Sequence, residues 1–138
     1  MAGRIEINTS QLGPQAFSVV VRELDEGALS VVAVTGELDL ASAPDLKEML
    51  DATLRLGGSV VVDLSAATFL DSTALNVLLR ASRGLGDEGG YGRRLAIVCA
   101  RPNVLRIFEF SGLDSAFAIF PALDDALANV REREACAG

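Results

Sequence analysis

The run "SVVVDLS" (59–65) sets apolar side chains at consecutive positions, so a strand built from it has two faces to cover. "RRLAIVCA" (93–100) is a second run of the same kind. Strands buried on both sides belong to largely parallel sheets with helices packed against them. The intervening segments have the matching helical period. In "ASAPDLKEMLDATLRLGG", Leu46, Met49, Leu50, Thr53 and Leu54 recur on one face; Ser42 with Asp45 forms a capping-box pattern, Pro44 suits a first turn and Gly57 a helix end. A second helix is expected from about Ser72, carrying Leu75, Leu78, Leu79 and Ser82. A third opens at Pro102, carries Leu105, Ile107 and Phe108, and stops at Gly112. "AFAIF" (116–120) is a further strand, and "LDDALANVRERE" turns Leu123, Ala126, Leu127 and Val130 inward.

Ahead of these, "FSVVVREL" (17–24) and "LSVVAVTG" (29–36) flank "DEGA" as a hairpin, and "GELD" (36–39) is expected to be a loop. The predicted order is β-β-α-β-α-β-α-β-α, an α/β fold with about five strands, one antiparallel edge strand and about four helices. "GELD", "SAATFLDS", "ARPN" and "FPALDD" follow strands and are expected at one end of the sheet, where sites gather. "FSVVVREL" as an exposed edge leaves pairing with a second copy, a homodimer, open.

A chain of 138 residues suits one domain, expected over 16–133, with a mobile leader over 1–15 and a tail over 134–138. The start lacks the apolar core and cleavage site of a signal peptide, no apolar run reaches membrane-span length, and the cysteines at 99 and 136 form no framework. A cytoplasmic protein without membrane contact is expected. The net charge of −7 argues against direct nucleic-acid binding and favours a protein or small-ligand partner. With no histidine, His-dependent nucleophiles and His metal sites are excluded; Lys47, the only lysine, lies in no phosphate loop. No cofactor is expected.

Few residues remain to carry function. Asp63 at a strand end resembles the acceptor aspartate of receiver domains, but the acidic pair and the lysine of that chemistry are missing, so a local cap is the better reading. Glu37, Asp39, Asp63 and Asp71 match no metal-binding loop. "GLGDEGGYG" (84–92) precedes a strand rather than a helix, so it is expected to be a flexible loop, not a dinucleotide fingerprint. That leaves Asp71-Ser72-Thr73 in "ATFLDSTALNVLLRAS". These are preferred N-cap residues, and a hydroxyl at a helix start is also a good phosphate acceptor, because the first-turn N–H groups and the dipole tolerate a dianion.

Three stretches in order, "VTGELDLASAPDLKEML", "VVVDLSAATFLDSTALNVLL" and "LAIVCARPNVLRIFEFSGLDSAFAIF", resemble the STAS domain of bacterial anti-sigma factor antagonists (anti-anti-sigma factors) over about residues 17–130. The resemblance implies a phosphoprotein of transcription regulation that works by partner switching and has no catalysis of its own. Unphosphorylated, such a protein binds an anti-sigma factor that is also a serine kinase, and a sigma factor is released; phosphorylation breaks the complex and a phosphatase restores it. ATP and magnesium belong to the kinase. By position the acceptor is Ser72 with Asp71 as its companion, and the partner surface falls on Glu37, Leu38, Asp39, Asp71, Thr73, Ala74 and Leu75. Ala74 stands where the family commonly has glycine, and Thr73 replaces a second serine. The alternative is a constitutive, unphosphorylated STAS module of a larger sensor or lipid-transport complex.

Overall fold

The structure, a computed structural model, describes residues 4–8, 17–89, 95–112 and 117–137. Its elements are β1 (Arg4–Asn8), β2 (Ser18–Leu24), β3 (Leu29–Leu38), α1 (Ala43–Leu54), β4 (Ser59–Leu70), α2 (Ser72–Gly89), β5 (Ala96–Val98), α3 (Pro102–Phe110), β6 (Ala118–Phe120) and α4 (Leu123–Ala137). The strands form one six-stranded sheet in sequence order. β2 runs antiparallel to β1 and β3, whereas β3 to β6 are mutually parallel.

The two-faced strands are covered as their composition requires. On one face Val19, Val32, Val34, Val60, Val62 and Ile97 pack with Leu46, Met49 and Leu50 of α1, Leu75 and Leu78 of α2, and Val104 and Phe108 of α3. Phe108 meets Phe117 edge to face, with centroids 5.4 Å apart. On the other face Leu29, Val31, Val61, Ala96 and Val98 are covered by Ala126 and Val130 of α4. Each fully buried leucine or isoleucine contributes about 1.5–3 kcal/mol, so both layers matter to stability.

Several expectations are corrected. Residues 4–8, assigned to a leader, form β1, because "RIEIN" has the period-two alternation of a strand. "FSVVVREL" is therefore an inner strand, paired on both sides, and the basis for expecting self-pairing through it is gone. β3 runs through Glu37 and Leu38 instead of giving way to a loop at "GELD". α2 continues through residues 84–89, the first part of the expected glycine-rich loop; residues 90–92 lie outside the described residues. α4 continues through residues 134–137 of the expected tail.

Far from the carboxyl ends of the parallel strands, the β2–β3 turn carries positive φ at Asp25 (53°), Glu26 (58°) and Gly27 (89°). Arg131 of α4 clasps Asp25 there, Nε donating to Oδ2 at 2.8 Å and Nη2 to Oδ1 at 3.0 Å. That hydrogen bonding holds the Asp25 carboxyl below its usual range. Cys99 is buried at the end of β5, and burial pushes its thiol up, away from reactivity.

Candidate functional site

The site is built where two strands outrun the rest of the sheet. β5 pairs with β4 only over Val61–Asp63, but β3 and β4 stay paired to Leu38 and Leu70. Register shifts between Ala33 and Thr35 and between Gly36 and Glu37 interrupt this ribbon, and Gly36 takes a positive φ of 95° there. Such bulges bend the strands and re-aim side chains. One side of the ribbon packs down through Leu38, Ala67 and Leu70, all fully buried. On the other side Glu37 sits opposite Phe69.

Beyond the ribbon the chain turns into α2. The Asp71 N–H donates to the Leu38 carbonyl at 3.0 Å, fixing the helix start to the end of β3. Asp71 is the N-cap: its Oδ1 accepts the Ala74 N–H at 3.0 Å, and its carbonyl accepts the Leu75 N–H at 3.0 Å. Ser72 is the first helical residue and is exposed; no hydrogen bond among the described residues engages its hydroxyl. The first-turn N–H groups of Ser72 and Thr73 have no acceptor within the helix. The capping side chain, Asp71, and the exposed hydroxyl, Ser72, are thus different residues. Thr73 is half-buried.

A second turn stands beside this one, before α1. Asp39 Oδ1 accepts the N–H groups of Ala41 (3.0 Å) and Ser42 (3.1 Å). Ser42 Oγ accepts the Asp39 N–H at 2.9 Å and donates to the Glu37 carbonyl at 2.9 Å. Ser42 makes no cap bond to the helix, which corrects the expected capping box with Asp45. Its hydroxyl is turned back to the strand end, and Asp39 organises the entry to α1 as an Asx turn.

The expected contact residues thus divide by burial. Glu37, Asp39, Asp71 and Thr73 are half-buried. Leu38 and Ala74 are 0% exposed and Leu75 4%, so these three support the surface from below. The family resemblance assigned them to the surface because contact segments carry over as continuous stretches, whereas burial alternates along them. The methyl of Ala74 lies in the core and leaves the outer surface unchanged.

Other acidic residues have local roles. Asp63 Oδ1 accepts the Ser65 N–H (2.9 Å) and hydroxyl (2.6 Å), a local bond as expected, but within β4 and not at a strand end, because β4 runs on to Leu70. Among the described residues no three acidic, cysteine or histidine side chains come together to hold a metal ion. No described helix is long and apolar enough to cross a membrane.

Residues missed in the sequence also shape the site. Leu40, 72% exposed, stands at the tip of the Asp39 turn, and Phe69 is 42% exposed. Asn103, in the first turn of α3, donates from Nδ2 to the Thr68 carbonyl at 2.9 Å and ties a third loop to the end of β4.

The cap arrangement predicts the effect of Asp71→Ala. The loss of the bond to the Ala74 N–H destabilises the protein by about 1 kcal/mol in urea unfolding. Amide exchange speeds up in the first turn of α2, while the Asn103 tether at Thr68 is retained.

Residues 19–126 match the family model described as STAS domain. The chain is 34% identical over 116 residues to the anti-sigma-F factor antagonist RsfB of Mycobacterium tuberculosis, covering 83% of this chain and 91% of that protein. It is 29% identical to an anti-sigma-B factor antagonist of Listeria monocytogenes, covering 75% and 88% of the two chains. The crystal structure of an anti-sigma factor antagonist from Mycobacterium paratuberculosis superposes with a TM-score of 0.75 at 33% identity, covering 86% of this chain and 97% of the other.

Proposed function

The chain belongs to the STAS domain family, and from that premise we propose that it is an anti-sigma factor antagonist switched by phosphorylation of Ser72. The observation that carries the switch is the division of labour at the start of α2. Asp71 holds the cap, and Ser72 stands exposed with its hydroxyl uncommitted among the described residues. A phosphate there adds about −1.5 to −2 charges at pH 7. The helix dipole and the first-turn N–H groups favour it, so the antagonist itself stays folded.

The partner feels the opposite effect. A kinase that phosphorylates Ser72 must bring the γ-phosphate of its ATP to this hydroxyl. After transfer, the new dianion faces the nucleotide phosphates that remain in the partner. Like charges forced together in a partly desolvated interface cost several kcal/mol, and the complex separates. A phosphatase acting on the exposed site resets the molecule. The protein supplies a docking surface and an acceptor oxygen, while ATP, magnesium and the phosphoryl-transfer chemistry belong to the partner. It works in the cytoplasm, where sigma factors act.

The test is to incubate the protein with the kinase-type anti-sigma factors of its source genome and ATP, then map the product by mass spectrometry. One phosphate on Ser72 is the expected result. Modification confined to Thr73 or another residue, or none with any of these kinases, overturns the assignment.

A further inference from the structure

The described residues leave four large hydrophobic side chains exposed: Leu40 (72%), Leu56 (52%), Phe69 (42%) and Phe110 (85%). Leu56 follows the end of α1 and Phe110 is the last residue of α3, at the far end of the molecule from Ser72. Leu40 and Phe69 lie at the carboxyl end of the parallel strands, two residues after Leu38 and one before Leu70. Those two buried residues are paired across the ribbon, and Asp71 is bonded to the first of them.

Both side chains have a fixed base. Leu40 rides a turn held by the Asp39 and Ser42 hydrogen bonds, and Phe69 sits in a paired strand above buried Leu70. Apolar groups displayed on a preordered backbone lose little entropy on docking, which is the property of interface hot spots. The charged residues that directly adjoin them in the chain and across the ribbon are acidic. Glu37 is opposite Phe69, Asp39 precedes Leu40 and Asp71 follows Leu70; the basic Arg101 stands one strand away, at the start of α3.

We infer that Leu40 and Phe69 are the apolar anchors by which this protein docks its anti-sigma factor, and that they enter an apolar pocket rimmed by arginine or lysine. This rests on the antagonist reading above and assigns the contacts within it. The anchors replace Leu38, Ala74 and Leu75, whose burial keeps them from a partner. The acidic rim meets the basic rim, while Ser72 faces the partner's nucleotide.

The experiment is calorimetric titration of the unphosphorylated protein, and of its Leu40→Ala, Phe69→Ala, Glu37→Gln and Leu56→Ala variants, with the anti-sigma factor that the wild type binds. Leu40→Ala and Phe69→Ala are each expected to weaken binding about tenfold or more. Glu37→Gln weakens it less and flattens its dependence on salt, and Leu56→Ala leaves it unchanged. All four substitutions are at exposed or half-exposed positions, and their thermal unfolding is expected to match the wild type. Amide-exchange protection in the wild-type complex, expected over residues 37–42 and 67–73, reads the same surface without a substitution. Tight binding of the wild type with unaltered affinity in Leu40→Ala and Phe69→Ala overturns the anchors and leaves the antagonist reading standing. Binding insensitive to salt and to Glu37→Gln overturns the basic rim. A wild type that binds none of the anti-sigma factors overturns both readings.

Discussion

Ser72→Asp binds the anti-sigma factor about 30-fold more weakly than the wild type, whereas Ser72→Ala binds within about twofold of it. The difference follows from what the hydroxyl does in the free protein. No hydrogen bond among the described residues engages it, so removing one oxygen leaves no buried group unpaired. A carboxylate at the same position adds a full charge against the nucleotide of the kinase-type partner proposed above. At about 4 Å and an effective dielectric near 20 that repulsion is about 4 kcal/mol. Solvent access to an exposed position reduces it to about 2 kcal/mol, which is about 30-fold in Kd. Stability moves the other way, because a negative charge in the first turn of a helix is favourable by about 0.3–1 kcal/mol. Ser72→Asp is therefore expected to unfold at the same or a slightly higher urea concentration while binding more weakly. Titration and urea unfolding of the two variants together separate a switch from a folding defect. Equal affinity of Ser72→Asp and Ser72→Ala contradicts the switch, and reduced stability of Ser72→Asp contradicts the account of the helix start.

Much of the frame is written in local pattern. The consecutive valines of 60–62 and the run at 95–99 demand cover on both faces, and the structure supplies α1, α2 and α3 on one and α4 on the other. The Asp71-Ser72-Thr73 cluster is legible as a helix start because only short polar side chains satisfy the first-turn N–H groups. Which of the three does the capping is not legible. It depends on where Leu38 fixes the Asp71 backbone, and Leu38 comes from a strand 33 positions earlier in the chain. The ribbon beyond β5 escapes for a similar reason, since its bulges exist only in the pairing of β3 with β4. "GELD" looks like a turn by composition, yet Glu37 and Leu38 pair with Phe69 and Leu70 and stay extended. "RIEIN" is so short that its alternation has weight only when β2 offers an edge to pair with. Leu40 and Phe69 are missed because an isolated exposed hydrophobic has no signature until the fold shows which neighbours are buried.

The end of the molecule opposite the site contains a constraint of a different kind, and Gly58→Ala reports it. A Cβ at Gly58 would lie 2.6 Å from the Ala28 carbonyl oxygen, 2.8 Å from its carbon and 2.9 Å from the Gly27 oxygen. These are backbone atoms and have no rotamer to yield. The Ala28 carbonyl also accepts the Ser59 N–H at 2.9 Å, the bond that sets the start of β4 against the start of β3. Relief of the clash must therefore move the β2–β3 turn or strain the first pairs of the central strands. The expected loss is about 3 kcal/mol, the upper part of the range for overpacking. Gly57→Ala is the control next door. A Cβ there meets nothing within 4 Å, but Gly57 has a φ of 90°, so its loss is only the left-handed penalty of about 1–2 kcal/mol. Urea unfolding should rank wild type above Gly57→Ala and Gly57→Ala above Gly58→Ala. Because the clash is at the far end of β3 and β4 from Leu38 and Leu70, the folded fraction of Gly58→Ala is expected to be phosphorylated on Ser72 at the wild-type rate. A Gly58→Ala protein as stable as the wild type would mean that the β2–β3 turn yields freely. Slowed phosphorylation of its folded fraction would mean that the strain travels along β3 and β4 to the site.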